Sequence, residues 1–120
     1  NGYYELEDID NLASAISPHI IPSNLIGILI KDDQLQTIGK NSIPKGSIAL
    51  IEQKEIKDLN NFKNKLIAVL DDFNEVQLGF VKNNEGAFYL KRANPLFEDL
   101  FFSKNTSIFG VVVGFLKFFI

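Results

Sequence analysis

Short apolar runs of strand length, separated by turn residues, dominate the hydrophobic pattern from residue 24 onward. The runs cover residues 24–31, 47–52, 65–70, 75–82, 87–91 and 107–119. Short apolar runs that recur every ~8–12 residues between Gly, Pro, Asn and Asp clusters are typical of all-β barrels and sandwiches. We therefore predict an all-β fold of short, mostly antiparallel strands, in which residues 107–119 supply one or two final strands.

Turn sequences lie at the boundaries of these runs. Pro44-Lys45-Gly46 precedes the second run, Asp71-Asp72-Phe73-Asn74 joins the third to the fourth, and Asn83-Asn84-Glu85-Gly86 precedes the fifth. Asp, Asn and Gly adopt the backbone conformations that tight turns require. The third and fourth runs are therefore predicted to form a hairpin.

The start of the chain has a different composition. Residues 1–30 contain four acidic side chains and no Lys or Arg, whereas the whole chain has a net charge of only −3. An acidic start that contains Ser, Asn and Pro is typical of a linker. We interpret residues 1–24 as an acidic linker or arm and residues 25–120 as one folded domain. No basic segment followed by an apolar stretch opens the chain, so no signal peptide is indicated.

Composition excludes several kinds of chemistry. The 120 residues contain no Cys, which excludes disulfides, thiol catalysis and thiolate zinc sites, and His19 is the single histidine. We accordingly predict no metal site and no cofactor. A pI near 5.1 gives no support for direct nucleic-acid binding. The longest apolar run, residues 108–120, contains Lys117 and is shorter than the ~20 residues of a membrane span, so we expect a soluble, cytoplasmic protein with no membrane partner.

The order of several segments is distinctive. Ile28-Leu29-Ile30 precedes Lys31-Asp32-Asp33-Gln34-Leu35, and Ile43-Pro44-Lys45-Gly46-Ser47 precedes Ile48-Ala49-Leu50-Ile51. Later come Glu75-Val76-Gln77-Leu78-Gly79-Phe80, then Asn94-Pro95, and finally Gly110-Val111-Val112-Val113-Gly114. From about residue 25 to residue 118, this order resembles the C-terminal domain of the LexA/UmuD family of self-cleaving repressors and mutagenesis proteins. The resemblance implies the barrel or sandwich fold of that domain.

The resemblance also implies a place for the family's catalytic residues. The family cleaves its own chain with a Ser nucleophile and a Lys general base, and the matching positions here are Gln34 and Gly79. A carboxamide cannot be activated as a nucleophile, and glycine has no side chain to act as a base. The resemblance therefore predicts a domain that keeps the family's shape without its catalytic residues.

An insertion leaves a second interpretation open. About three more residues than in the family lie between Leu35 and Ile43, so Thr37 or Ser42 is a candidate for a displaced nucleophile. Lys82 and Lys91 are the corresponding candidates for a displaced base. This alternative predicts an active self-cleaving or peptide-cleaving serine peptidase. Against it, Lys82 directly precedes a turn, where we expect a solvated side chain.

The last apolar run predicts a dimer interface. With regular alternation, Phe109, Val111, Val113 and Phe115 lie on one face of a strand whose other face is also apolar. One face can close the domain's own core, and the other needs a second sheet layer or a second subunit. We predict that these four residues form the interface of a homodimer, as in the family; internal packing of both faces is the alternative.

These expectations together suggest a function. We predict a non-catalytic dimerisation domain of a LexA-like transcriptional regulator, in which only a separate N-terminal domain outside this chain contacts DNA. The alternatives are the active peptidase described above and a UmuD-like accessory subunit that binds another protein.

Overall fold

Eight β-strands form most of the described part of the chain. The computed structural model describes residues 2–8, 25–37, 42–54 and 57–119. The strands are β1 (Tyr3–Asp8), β2 (Leu25–Leu29), β3 (Ile48–Glu52), β4 (Leu66–Leu70), β5 (Val76–Asn84), β6 (Ala87–Lys91), β7 (Leu100–Phe101) and β8 (Ser107–Phe119), and a short 3₁₀ helix spans Leu59–Phe62. The predicted all-β fold class is confirmed. No helix among the described residues is long and apolar enough to span a membrane.

The strands join in one antiparallel sheet. Seven of them follow the order β2-β3-β8-β4-β5-β6-β7, and β1 pairs with the C-terminal half of β8, from Tyr3 opposite Phe119 to Asp8 opposite Gly114. Residues 3–8 therefore belong to the sheet, which corrects their interpretation as part of a linker or arm. Residues 9–24, the rest of that segment, lie outside the described residues.

Two apolar clusters lie on opposite faces of β4, whose first four residues are all buried. Cluster 1 contains Ile30, Leu35, Ile43, Ala49, Ile51, Leu66, Ala68, Leu78, Val112 and Phe115. Cluster 2 contains Ile67, Val69, Val81 and Leu90, with Leu59 and Phe62 of the 3₁₀ helix packed against it. Because side chains alternate along a strand, successive residues of β4 enter cluster 1 and cluster 2 in turn.

Two β-bulges interrupt the alternation of β8. Opposite β4 the register shifts so that Phe109 has no partner, and opposite β3 it shifts so that Val113 has none. Each extra residue moves the following side chains to the other face. As a result, Phe109 and Phe115 pack with cluster 1, whereas Val111 packs with cluster 2.

The predicted dimer interface needs correction for this reason. Phe109, Val111, Val113 and Phe115 do not share one face of β8, because the prediction assumed unbroken alternation. Phe115 is a core residue with 3% of its surface exposed, so it is not available to a second subunit. Both edges of β8 are also occupied, by β3 on one side and by β4 and β1 on the other.

Candidate functional site

The loop after β2 places Gln34 at the end of the sheet. The backbone N–H of Gln34 donates to the Asp32 carboxylate at 3.2 Å. Asn94 holds the loop from the other side, because its amide nitrogen donates to the Asp33 carbonyl at 2.8 Å and its backbone N–H donates to the Gln34 carbonyl at 3.2 Å. Gln34 is consequently buried, with 5% of its surface exposed.

The side chain of Gln34 reaches β5. Its Oε1 atom accepts the backbone N–H of Leu78 at 2.9 Å. Leu78 immediately precedes Gly79, so the two positions that the family resemblance singled out are adjacent in space. The position that the resemblance matches to a nucleophile therefore carries a carboxamide whose oxygen already accepts a hydrogen bond from the backbone.

Beside Leu78, two side chains pair with the edge of β5 in place of a neighbouring strand. The ladder between β5 and β6 ends at the pair Phe80–Lys91, so β6 supplies no partner to Leu78. Instead Gln34 accepts the Leu78 N–H, and Nε of Arg92 donates to the Leu78 carbonyl at 3.2 Å. Both backbone groups of the buried Leu78 are therefore hydrogen-bonded. Leaving them unpaired would lower the free energy of unfolding.

Arg92 is the centre of a polar cluster. Its Nη2 atom donates to Oε1 of Gln34 and to Oε1 of Gln77, each at 2.9 Å, and its guanidinium lies 5.2 Å from the centre of the Phe97 ring. Burial lowers the pKa of the Arg92 guanidinium, and the carboxylates of Asp32 and Asp99 act in the opposite direction. Arginine remains protonated at neutral pH in proteins, so the cluster holds a fixed, half-buried positive charge.

Asp71 extends this cluster to the β4–β5 hairpin. One carboxylate oxygen accepts the backbone N–H groups of Phe73 at 2.8 Å and Glu75 at 3.0 Å, and the other accepts the Gln77 amide at 2.9 Å. Partial burial alone would raise the pKa of Asp71, but these hydrogen bonds outweigh it and the pKa lies below its ordinary value. The hairpin and the loop after β2 are thus joined through Asp71, Gln77, Arg92 and Gln34.

Gly79 has no room for a side chain. A Cβ atom at this position would lie 2.9 Å from Cβ of Leu90 and 3.0 Å from the carbonyl oxygen of Lys91. Both neighbours belong to β6, so neither can move aside without shifting the strand. A lysine at this position would not fit the present backbone.

The candidate nucleophiles of a displaced dyad lie apart from the candidate bases. Thr37 and Ser42 are neighbours, since the Thr37 N–H donates to Oγ of Ser42 at 3.1 Å. Lys82 donates instead to the side-chain oxygen of Asn64, an exposed contact, and Lys91 is exposed on β6. Among the described hydrogen bonds, none joins either hydroxyl to either lysine. A lysine that serves as a general base is typically buried, whereas Lys91 is exposed and Lys82 is half-buried.

One buried hydroxyl does lie close to a buried amine-bearing residue. Ser47 directly precedes Ile48 and Lys117 directly follows Leu116, which form the last register pair of β3 and β8. Both residues are buried. Oγ of Ser47 accepts the backbone N–H of Phe118 at 3.0 Å. Because Ser47 is 0% exposed, a substrate in solution cannot reach its hydroxyl.

A groove lies beside the polar cluster, between the end of β2 and the start of β5. It has a volume of about 440 Å³ and is lined by residues 28–32, 34 and 74–78. Leu29 on one wall is 52% exposed, and Phe73, which adjoins the opposite wall, is 84% exposed. The lining combines apolar strand residues with the charged side chains of Lys31, Asp32 and Glu75.

The sequence pattern alone missed the role of Arg92. A Lys-Arg pair after a short strand is typical of a solvated strand end, whereas Arg92 is half-buried and makes the contacts described above. The alternation of β6 contains the missing signal. Leu90 points inward and Lys91 is exposed, so the next side chain points inward again.

Comparisons with known proteins leave the family open. No protein-family model matches the chain, and no curated protein matches it in sequence. In the described part of the chain, no group of three or more His, Asp or Glu side chains is placed to hold a metal ion.

Proposed function

We propose that this chain is a non-catalytic dimerisation domain of a LexA-like transcriptional regulator that works in the cytoplasm. The observation that carries the proposal is the hydrogen bond of Gln34 to the Leu78 N–H, next to Gly79, where there is no room for a side chain. A carboxamide stands where the resemblance expects a nucleophile, and packing excludes a lysine where it expects a base. The polar groups that remain there stabilise the fold.

A domain of this kind acts through geometry. The chain has a net charge of −3 and a pI near 5.1, so it is poorly suited to contact DNA phosphates itself. When two copies associate, they join two DNA-reading domains that lie outside this chain. The second half-site contact then becomes intramolecular, which can strengthen binding by ~10²–10⁴.

Sedimentation equilibrium tests the proposal directly. We expect the chain to self-associate reversibly to a dimer at tens to hundreds of micromolar protein. A strictly monomeric chain over that range would contradict the dimerisation function. An operator-binding measurement on the full-length protein should then show affinity that falls as the dimer dissociates.

The peptidase alternative has one observation in its favour, the proximity of Thr37 and Ser42 in one loop. Incubation of the chain at about pH 10, where lysine deprotonates more readily, tests it. We expect the protein to remain intact. Discrete fragments that disappear in Thr37→Ala or Ser42→Ala would replace our proposal with the peptidase.

A region N-terminal to this domain would distinguish the accessory-subunit alternative from the regulator. A helix-turn-helix there supports the regulator, and a short arm supports a UmuD-like subunit that binds another protein. The exposed apolar residues Phe73 and Leu96, at 84% and 90%, favour such a partner surface. Loss of partner binding on Phe73→Ser, with the dimer intact, would support the accessory subunit.

A further inference from the structure

Among the described residues, no strand lies on the outer edge of β2. β2 is the terminal strand of the sheet, and its inner edge pairs with β3 from Leu25–Glu52 to Leu29–Ile48. Ile30, the next residue, donates its N–H to the Ser47 carbonyl at 2.8 Å, so its backbone groups face inward. Because backbone groups alternate in direction along a strand, those of Leu25, Gly27 and Leu29 face outward.

These outward groups have no partner in the part of the chain that the structure describes. No further strand lies beyond β2, and no hydrogen bond to the outward groups of Leu25, Gly27 or Leu29 is present there. An open, uncharged apolar edge is a template for pairing with another strand. The opposite end of the sheet is a weaker template, because β7 has only two residues.

The sequence of β2 reads the same in both directions. It is Leu-Ile-Gly-Ile-Leu, with Gly27 at the centre. In a two-fold symmetric antiparallel pair each position i meets position j and j meets i. A two-fold axis at Gly27 therefore places Gly27 opposite Gly27 of the second copy and Leu25 opposite Leu29 of the second copy. These are the three residues whose backbone groups face outward.

We propose that two copies of this chain pair edge to edge through β2, with the two-fold axis at Gly27. The proposal rests on the proposed dimerisation function and names its interface. Each of the three facing pairs then exchanges two backbone hydrogen bonds, and one sheet runs through both copies. The interface differs from the β8 face that the sequence pattern suggested.

The side chains of this edge suit a second copy. Leu25, Gly27 and Leu29 share one face of β2, and Leu29 is 52% exposed, so pairing covers a leucine that is otherwise half in water. The strand contains no charged residue, so pairing brings no like charges together. The groove adjoins Leu29 and gives space to the N-terminal end of the second strand.

The size of the contact predicts its strength. A five-residue edge is about 17 Å long, and its contact area is below the ~800 Å² per partner of a standard stable interface. We therefore expect a weak dimer with a dissociation constant in the micromolar range, which suits the coupling of two weak DNA contacts.

Charge substitutions test both the surface and the register. Leu25→Glu/Leu29→Glu places like charges directly opposite each other in both outer pairs, and we expect the dimer dissociation constant to rise at least about tenfold. Leu25→Lys/Leu29→Glu places opposite charges in the same pairs, and we expect dimerisation to be restored. Within one copy the two positions are too far apart to interact, so the difference reports the contact between copies.

Matched variants identify which proposal fails. Leu96→Glu adds the same charge at a 90% exposed leucine outside β2, and should leave the dimer unchanged. Thermal unfolding followed by circular dichroism checks that each variant folds. A monomeric wild-type chain contradicts the dimerisation function itself. A wild-type dimer that persists in Leu25→Glu/Leu29→Glu, or that Leu25→Lys/Leu29→Glu does not restore, overturns the β2 interface and leaves dimerisation standing.

Discussion

Gln34 and Leu78, which are 44 positions apart in the chain, are joined by a buried 2.9 Å hydrogen bond. It satisfies a backbone N–H at the edge of β5 to which β6 supplies no partner. Gln34→Ala removes the acceptor and leaves the Leu78 N–H and part of Arg92 unpaired. Unpaired buried donors cost ~1–3 kcal/mol, so we expect the free energy of unfolding to fall by about that amount. Urea unfolding of the wild type and the variant measures the difference.

Gln36 provides the control for this prediction. It has the same side chain in the same loop, but it is exposed. Gln36→Ala should therefore change the free energy of unfolding by less than about 0.5 kcal/mol. Equal effects at the two positions would show that the bond to Leu78 contributes nothing to stability.

A Ser/Lys pair at the two positions that the resemblance singled out should not produce cleavage. In Gln34→Ser/Gly79→Lys, the lysine Cβ would lie 2.9 Å from Leu90 and 3.0 Å from the Lys91 carbonyl. We expect no self-cleavage fragments by mass spectrometry between neutral pH and about pH 10, a range that spans lysine deprotonation. Fragments in the double variant that are absent from Gln34→Ser would show that a lysine side chain fits in place of Gly79.

Gly79→Ala measures the same steric restriction without any change of charge. The extra methyl group forces β5 and β6 apart, and overpacking of this kind costs ~1–3 kcal/mol. We expect the urea midpoint to fall accordingly. An unchanged midpoint would mean that β6 moves freely, and a lysine would then fit.

The stability of the hairpin should depend on pH through Asp71. Its pKa is lowered in the folded state, so ionised Asp71 stabilises the fold above its unfolded pKa of about 3.9. This contribution is lost as the pH falls through the lower, folded value. We expect Asp71→Asn to be less stable than the wild type at pH 7 and the difference to shrink below about pH 4. Urea unfolding across this range measures it, and a difference independent of pH would exclude the carboxylate as its cause.

Gly110 should be intolerant of any side chain. A Cβ there would lie 2.5 Å from the Glu52 carbonyl oxygen and 2.7 Å from Cγ2 of Ile51. Because the closest atom belongs to the backbone of β3, relief requires β3 and β8 to separate. We expect Gly110→Ala to lose about 3 kcal/mol or more in urea unfolding. Ser107→Ala, at the exposed start of β8, should be close to neutral.

The strands of the central sheet could be predicted because their signals are local. Residues 87–91 were predicted and observed with the same bounds, and the hairpin at Asp71 was expected from its turn sequence. β1 was missed because its acidic residues are typical of a linker, whereas pairing with β8 decides its conformation. Tertiary pairing of this kind overrides local composition.

The candidate site was only partly predictable. The family resemblance singled out Gln34 and Gly79, and in the structure Gln34 contacts Leu78, the residue beside Gly79. The pairing of Arg92 with Gln34 spans 58 positions, and no pattern within a strand carries that information. Counting along β8 failed for a different reason, since a bulge is a property of two strands together.

The bulge at Val113 also decides how β8 tolerates a change in length. Outside the two bulges, removal of a single residue would move every later side chain of β8 to the other face. At Val113 the ladder to β3 would simply close, because Val112 and Phe115 already belong to the same cluster. The longest described strand therefore carries an extra residue at a point where shortening by one keeps the later core side chains on their present faces.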